Sequence, residues 1–314
     1  FGKLGFPNRK KTTSGYSTSQ AIFEKIEDLH PIVPLIQQYR MLTKLSSTYV
    51  KGLQEQVFAD GKIHTIFNQA LTQTGRLSSI DPNLQNIPVR QEEGKLIRQA
   101  FVASHDYLVS FDYSQIELRI LAHLAKVKSL IEAFHQNKDI HTHTAALVFK
   151  VKDEDVTPQM RRQAKAVNFG IIYGMGEFRL SKQIGVTLSE AREFIRRYFE
   201  EYPEIKQYME RVVEDCKRDG YVSTVLNRKR YIPTIHDKNF MVREQAKRFA
   251  MNSPIQGSGA DILKLAMIQV DRLMKEKHMK SQMILQVHDE LIFDVYKDEL
   301  EDMMTMIKTA MENA

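Results

Sequence analysis

The stretch that decides the fold is YLVSFDYSQIELRILAHL, residues 107–124. Its first six residues, 107–112, are mostly apolar and strand-forming, which predicts a short β-strand. Helical periodicity follows at once, so we expect the strand to run into a helix from Ser114 to about Leu124. Asp112 closes the strand, where a carboxylate has a rigid base and solvent on one side. From these residues alone, Asp112 is either a metal ligand or general base, or an acid in a strand-ending turn.

A second strand pattern lies towards the C-terminal end of the sequence. MILQV (283–287) and ELIFDV (290–295) flank His288-Asp289, which predicts a β-hairpin. These strands are too apolar for a surface hairpin, so Asp289 would face other core elements, although a solvated turn is the alternative. Asp112 and Asp289 could together bind two divalent ions about 4 Å apart, an arrangement that serves phosphoryl transfer. Mg²⁺ favours such carboxylate and water ligands.

A stripe of cationic and aromatic residues recurs at intervals of four: Arg161, Lys165, Phe169 and Tyr173. On a helix this spacing keeps the four side chains near one face. The cations could hold a triphosphate, and an aromatic ring could stack on a base. The alternative is that the aromatic rings face the core while the cations are solvated.

Capping patterns mark three helix starts. Thr157-Pro158 supplies an N-cap with proline at the first helical position. Thr187 with Glu190, and Ser114 with Glu117, each match the capping box, in which the glutamate accepts from the N-cap amide. For Glu117 alone, capping is the expected role.

The remaining pattern predicts helices around a small antiparallel sheet, an α+β architecture. We expect the following: a basic loop or linker over residues 1–11, a helix over 20–53 broken near His30-Pro31 and Pro34, irregular structure over 58–88, helices over 127–219, a helix over 240–279 interrupted at 254–259, and a final acidic amphipathic helix.

Composition limits the class of protein. The 314 residues are 42% hydrophobic, enough for a sizeable core, and the net charge of +6 only weakly indicates a polyanionic partner. Cys216 is the single cysteine, so an internal disulfide is impossible. No apolar run long enough for a membrane span and no signal peptide is visible.

Several polar residues could contact a nucleic acid duplex. Arg, Asn and Gln reach minor-groove acceptors and phosphates, although helix surfaces and turns carry them routinely. The candidates are Arg76, Gln85, Asn86, Arg248, Asn252 and Gln256. We expect Arg228-Lys229-Arg230 to be a solvated cluster, and His141 and His143, two residues apart, not to form a zinc pair.

Six segments occur in an order that resembles family A DNA polymerases of bacteria: TGRLSS (74–79), DPNLQNIPVR (81–90), DYSQIELR (112–119), RRQAKAVNFGIIYG (161–174), NSPIQG (252–257) and VHDE (287–290). The resemblance covers essentially the whole chain. It implies a hand-like α+β fold with an antiparallel palm sheet: a partial helical thumb over 1–57, a palm over 58–120 and 241–314, and inserted helical fingers over 121–240. It also implies that the natural protein starts before Phe1 and that a last palm strand lies beyond Ala314.

The resemblance further implies a template-directed DNA polymerase of DNA replication and repair. Asp112 and Asp289 would bind two Mg²⁺ ions, or Mn²⁺ in their place, assisted by the Tyr113 carbonyl, with Glu290 as a lesser acid and Lys165 as a proton donor to pyrophosphate. Nucleotide contacts would come from Gln115, Glu117, His141, Arg161, Lys165, Phe169 and Tyr173. DNA contacts would come from Arg76, Gln85, Asn86, Arg119, Arg248, Asn252, Gln256 and His288.

Two of these residues would set selectivity. Glu117 would occupy the space of a ribose 2′-OH, and Phe169, where some relatives carry tyrosine, would discriminate against dideoxynucleotides. The implied partners are primer-template DNA and deoxynucleoside triphosphates, with a monomeric, cytoplasmic, nucleoid-associated bacterial protein and no membrane contact.

Three other functions remain open at this point. A two-metal nuclease could use the same aspartates without the stripe or Glu117. A DNA-binding fragment could have lost catalysis by truncation. A single-subunit RNA polymerase shares the two-aspartate plan, although Glu117 argues against it.

Overall fold

The computed structural model describes residues 4–7, 11–13, 15–88 and 92–314. The chain divides into two compact units. The smaller comprises Phe1–Phe67 with Ser79–Val102, and the larger comprises Asn68–Ser78 with Ala103–Ala314. Within the described ranges, no helix is both long and apolar enough to cross a membrane.

Short helices and strands make up the first part of the chain. In order they are β1 (Lys11–Thr12), β2 (Gly15–Tyr16), α1 (Gln20–Ile26), α2 (Ile32–Lys44), a π-helical segment (Leu45–Lys51), α3 (Gly52–Gln54), β3 (Ile66–Asn68), β4 (Ser78–Ile80) and α4 (Glu92–Gln99). Strands β1 and β2 form one two-stranded sheet, and β3 and β4 form another. Phe23, Ile26 and Val33 form part of a small core around α1 and α2.

The predicted break near His30-Pro31 is confirmed, because α2 begins at Ile32. The predicted break at Pro34 is wrong, since this proline is the third residue of α2. Amide groups of the first turn have no partner within the helix, so the missing N–H of Pro34 removes no hydrogen bond.

The larger unit is built on one antiparallel sheet. Strands β5 (Tyr107–Asp112), β8 (Gln282–Val287) and β9 (Glu290–Val295) pair in the order β5-β9-β8. The predicted strand and hairpin are therefore confirmed, with β9 central between β5 and β8. Leu291, Phe293 and Val295 of β9 are buried, which explains why this strand is so apolar.

Helices surround this sheet and fill the long segment between β5 and β8. They are α5 (Ile116–Ala125), α6 (Lys128–His135), α7 (Ile140–Phe149), α8 (Pro158–Ile172), α9 (Glu177–Ile184), α10 (Leu188–Glu201), α11 (Pro203–Asp219), α12 (Phe240–Glu276) and α13 (Leu300–Glu312), with a hairpin of β6 (Tyr221–Ser223) and β7 (Lys229–Tyr231) after α11. One core lies among α5 to α11 and another between the sheet, α12 and α13. The predicted α+β class is confirmed.

Helix starts follow the sequence patterns in two of three cases. Thr157 caps α8 by accepting from the Met160 amide, and Thr187 with Glu190 forms the predicted capping box of α10. The third prediction, a capping box at the start of α5, is wrong.

The predicted interruption at Pro254–Gly259 is also wrong, because α12 is continuous over this segment. A proline inside a helix costs about 3 kcal/mol. Ile255 and Leu263 of the same helix are nearly fully buried, and each such side chain contributes about 1.5–3 kcal/mol, so packing outweighs the lost hydrogen bond. The Ser258 hydroxyl also donates to the Pro254 carbonyl at 2.5 Å.

Candidate active site

The two aspartates meet at one end of the antiparallel sheet. Strand β5 pairs with β9 so that Asp112 stands opposite Glu290. The backbone amide of Tyr113 donates to the carbonyl of Asp289 at 3.2 Å. Two acids far apart in sequence thus share one strand end, because β5 and β9 are neighbours in the sheet.

A two-residue turn carries Asp289 between β8 and β9. His288 is exposed and has a positive φ of 57°, in the left-handed region that tight hairpin turns use. The Gln286 side chain donates to the His288 carbonyl at 2.5 Å. These contacts fix the turn, so Asp289 is held at the start of a rigid strand.

The acids form a cluster of negative charge. Partial loss of solvent, followed by the charges of Asp289 and Glu290, raises the pKa of Asp112. Within the described parts of the chain, neither aspartate forms an ion pair. The Ser110 hydroxyl donates to the Glu290 carboxylate, which holds that acid beside the pair.

This donor set fits divalent cations. Two carboxylates that repel each other without a protein cation are stabilised when a metal ion binds. Among the described residues, no group of three or more His, Cys, Asp and Glu side chains is assembled to bind a metal. Two carboxylates are nevertheless enough for Mg²⁺, which takes its other ligands from water and substrate phosphates.

Tyr113 anchors the end of β5. Its hydroxyl donates to the Met311 carbonyl of α13 at 2.6 Å. Burial raises the pKa of Tyr113 to about 12, so the hydroxyl stays protonated and keeps donating. Its side chain thus fixes the segment whose carbonyl we expect beside the metal.

The cationic and aromatic stripe lies along an accessible face of α8. Arg161 and Lys165 are exposed, Phe169 is half-buried, and Tyr173, the C-cap, is 41% exposed. The alternative in which Tyr173 faces the core is therefore wrong. Lys165 has no ion-pair partner among the described residues, so its ammonium group is available to an anion.

Helix α7 lies against this stripe and supplies His141. The His141 ring is buried, with its centroid 5.7 Å from that of Phe169. Burial lowers the pKa of His141 to about 4. The negative charge of Asp139 opposes this shift, and the positive charges of Lys165 and Arg161 add to it. His141 is therefore neutral at pH 7.

Asp139 ties the start of α7 to the start of α8. It caps α7 by accepting from the His141 and Thr142 amides, and it pairs with the Arg161 guanidinium at 2.6 Å. Burial alone would raise the pKa of Asp139, but hydrogen bonds from Arg161 and Thr142 lower it to about 2. The arginine is thereby held at the end of the stripe.

Glu117 does not cap α5, so that prediction is wrong. The N-cap is Gln115, in a left-handed conformation with φ 56° and no side-chain cap. The buried Glu117 carboxylate instead accepts from Arg76 at 2.7 Å and from the Tyr173 hydroxyl at 3.0 Å. A buried carboxylate requires a cation or strong donors, and these partners outcompete a helix amide.

Comparison with known proteins decides the family of this chain. The family model described as DNA polymerase family A matches residues 1–314. The chain belongs to DNA polymerase family A.

Members of family A from bacteria are similar over the whole chain. DNA polymerase I of Geobacillus stearothermophilus is 54% identical over 317 residues, and that of Bacillus subtilis (strain 168) is 55% identical over 317. In both comparisons all of this chain is covered, whereas it spans only 36% of the relative's length.

A solved family A structure has the same fold. The POL domain of Pol1 from M. smegmatis, in complex with DNA primer-template and dNTP, is 44% identical and matches with a TM-score of 0.92. The match covers 100% of this chain and 56% of that one. The family A polymerase fold is thereby confirmed, while the boundaries of thumb, palm and fingers stay predictions.

Three predicted DNA-contacting residues of this family A chain lie along one face of α12. Arg248 packs over Gly174, whose added Cβ would lie 2.8 Å from Arg248 Cγ. Asn252 donates to the Ile172 carbonyl at 3.4 Å, and the Gln256 side chain lies close enough to the Tyr173 hydroxyl to lower the pKa of that group. The spacing of four therefore places all three side chains against the end of α8.

The other predicted DNA contacts are placed separately. In the smaller unit, Gln85 accepts from the Ser79 amide at 3.2 Å, and the Asn86 carbonyl accepts from the Tyr49 hydroxyl at 2.6 Å. In the larger unit, exposed Arg119 bonds the Ser114 carbonyl at 3.0 Å.

Sequence reasoning missed the basic hairpin. Arg228 and Arg230 are not a solvated cluster, because Arg228 pairs with Asp261 at 2.7 Å and Arg230 donates to Ser253 at 2.6 Å. Only Lys229 matches the expectation of an exposed cation. No local signal marks Asp261, which lies on the distant helix α12.

Proposed function

We propose that this chain catalyses template-directed DNA polymerisation, with primer-template DNA and deoxynucleoside triphosphates as its substrates. The observation that carries the proposal is the meeting of Asp112 and Asp289 at one strand end, with Glu117 of the following helix bonded to Tyr173 of the cationic and aromatic stripe. Family A membership and the M. smegmatis complex with primer-template and dNTP support it.

Asp112 and Asp289 would hold two divalent ions, with the Tyr113 carbonyl as a further ligand. When bound, Mg²⁺ supplies a lower pKa for the primer 3′-OH and charge neutralisation for the triphosphate. The 3′ oxygen of the primer would bond the α-phosphorus and lose its proton to water. The bond between the α-phosphorus and the oxygen that bridges to the β-phosphorus would break, and pyrophosphate would leave. Glu290, held by Ser110, adds negative charge beside the pair.

The stripe would bind the incoming nucleotide. Lys165, which lacks a described ion-pair partner, would contact the triphosphate and give a proton to departing pyrophosphate. Arg161 would contact the same phosphates from a position fixed by Asp139. Phe169 would pack on sugar and base, with neutral His141 and Gln115 as further contacts. Such contacts supply positioning and charge stabilisation, the main sources of catalysis in phosphoryl transfer.

Glu117 and Tyr173 would select the nucleotide. The Glu117 carboxylate is fixed by Arg76 and Tyr173, so it cannot readily move away from a ribose 2′-OH. Tyr173 would guard the template position. The remaining contacts to DNA would come from Arg76, Gln85, Asn86, Arg119, Arg248, Asn252, Gln256 and His288.

The wider assignments belong to the same proposal. Residues 1–57 would be part of a thumb, 58–120 and 241–314 a palm, and 121–240 the fingers. The protein would act as a monomer in the bacterial cytoplasm, associated with the nucleoid, in DNA replication and repair.

Primer extension tests the proposal. The chain is incubated with a labelled primer-template, Mg²⁺ and the four deoxynucleotides, beside Asp289→Ala and a matched control, Asp298→Ala. Asp298 is exposed and follows β9 at the end opposite Asp289. Template-directed extension that needs Mg²⁺, vanishes in Asp289→Ala and persists in Asp298→Ala is expected.

Other outcomes point to the alternatives. Shortening of the strand without nucleotides would indicate a two-metal nuclease. Duplex binding without extension in the wild-type chain would contradict the polymerase proposal for this length of chain and leave a DNA-binding fragment.

A further inference from the structure

Arg228 joins three segments of the larger unit. Its Nε donates to Asp261 Oδ1 of α12 at 2.7 Å. Its Nη2 donates to the carbonyls of Thr74 at 2.7 Å and Gly257 at 3.1 Å. The Asp261 side chain is only 8% exposed, so the guanidinium neutralises a buried charge while it binds two backbone segments.

Two glycines leave room for this guanidinium. A Cβ added at Gly75, where φ is +83°, would lie 2.6 Å from Arg228 Cζ. A Cβ added at Gly257 would lie 2.6 Å from Thr224 Cγ2 and 3.0 Å from Arg228 Nη2. At Gly75 the short distance is to the guanidinium itself, whereas at Gly257 the shortest distance is to Thr224 and the guanidinium lies at the limit of a tight contact. The backbone therefore packs closely against the arginine at both glycines.

Each of these two backbone segments carries a side chain that lies against Glu117 or Tyr173, the two residues proposed to select the nucleotide. Thr74 lies two residues before Arg76, which pairs with Glu117. Gly257 directly follows Gln256, whose side chain lies close enough to the Tyr173 hydroxyl to lower the pKa of that group. The Arg228 guanidinium therefore binds the main chain close to Arg76 and Gln256. These two residues lie against Glu117 and Tyr173, respectively.

We propose that Arg228 is a positioning residue for nucleotide selection. By fixing two backbone carbonyls, it sets where Arg76 and Gln256 present their side chains. These in turn hold Glu117 and Tyr173 in place. The inference rests on the proposed function, because selection between deoxy- and ribonucleotides is its consequence.

Substitution of Arg228 tests this role, with Lys229→Ala as the matched control. Lys229 is the next residue and is exposed, with its ammonium 4.2 Å from the centroid of the Tyr221 ring. We expect Arg228→Ala to reduce the ratio of kcat/KM for a dNTP to that for the matching rNTP by about tenfold, less than the roughly 10²-fold that a full 1 Å misplacement can cost. Lys229→Ala should leave the ratio unchanged.

Arg228→Lys should fall between the wild type and Arg228→Ala. A lysine restores the charge beside Asp261 but has no planar fork that reaches the two carbonyls as well. A general loss of structure would lower both kcat/KM values together and leave the ratio as it was. An unchanged ratio in folded Arg228→Ala would therefore overturn the proposal. If Arg228→Ala does not fold, Arg228→Lys carries the same comparison.

Amide hydrogen exchange of the free chain tests the placement without activity. We expect faster exchange in peptides covering 72–77 and 254–258 in the Arg228 variants, and wild-type exchange there in Lys229→Ala. Unchanged exchange in both segments would overturn the inference, whether or not the chain extends a primer. A wild-type chain that extends no primer counts against the proposed function instead.

Discussion

Asp112 and His141 show how neighbours set the state of single side chains in this site. The charges of Asp289 and Glu290, after partial desolvation, raise the pKa of Asp112, and burial lowers that of His141 to about 4. Both shifts disfavour the charged form of the group. Perturbed groups of this kind cluster where proteins bind or react, because evolution accepts their cost in stability there.

The buried His141 should make stability depend on pH. The folded-state pKa of His141, about 4, lies below the ordinary value of 6.5. The contribution of the neutral ring to the free energy of unfolding is therefore fully present above pH 6.5. As the pH falls towards 4, the unfolded state binds a proton that the folded state does not, and about 3 kcal/mol is lost. Denaturant unfolding of wild type and His141→Asn between pH 7 and 4.5 measures this.

The variant should lose less stability than wild type over this range. His143→Asn, an intermediate-exposure histidine on the same helix, is the control and should follow the wild-type curve. Parallel curves for wild type and His141→Asn would contradict the buried, neutral histidine.

At the scale of elements, α12 connects the hairpin β6-β7, the helical core and the sheet. It has 37 residues and is continuous through Pro254. Its small residues Gly257 and Gly259 are separated in the sequence only by Ser258 but differ in their surroundings. Gly257 lies against Thr224 and Arg228, whereas a Cβ added at Gly259 would make only an ordinary van der Waals contact with Ile120.

Alanine at these two glycines should have opposite effects. Gly257→Ala forces its Cβ to 2.6 Å from Thr224 Cγ2 and should destabilise the chain by about 1–3 kcal/mol. Gly259→Ala meets Ile120 Cδ1 at 3.6 Å and gains up to about 1 kcal/mol of helix propensity. Thermal unfolding of both variants measures the difference, and equal effects would show that the contact with Thr224 does not limit the packing.

At the scale of the whole molecule, the chain spans about a third of its curated relatives and is described as two units. Its net charge of +6 is modest for a protein proposed to bind DNA. The cations that we assign to DNA binding are therefore a small part of a chain whose positive and negative charges nearly cancel. Local placement of these cations, rather than net charge, should govern binding.

Duplex affinity should accordingly fall with salt. Phosphate contacts from the three arginines assigned to DNA, Arg76, Arg119 and Arg248, would give a slope near −2.7 in log affinity against log salt, or about a fortyfold loss between 50 and 200 mM. Fluorescence anisotropy with a primer-template measures the slope. A salt-independent affinity would contradict phosphate contacts, and Lys229→Ala supplies a single-cation control outside the assigned set.

The sequence by itself determined the elements and the motifs. Apolar runs and turn residues located β5 and the β8-β9 hairpin, and the spacing of four located the stripe on α8, because these are local patterns with a fixed period. The family resemblance followed from motif order, and whole-chain matches confirmed it.

Only the tertiary structure decided which groups meet. Glu117 accepts from Arg76 and Tyr173 rather than from the amide of its own helix. Arg228 pairs with Asp261 rather than facing solvent, and α12 continues through its proline. In each case the partner or the packing surface is remote in sequence. Burial strengthens such contacts beyond local propensity, because a buried charge or helix face must be satisfied by whatever the fold brings beside it.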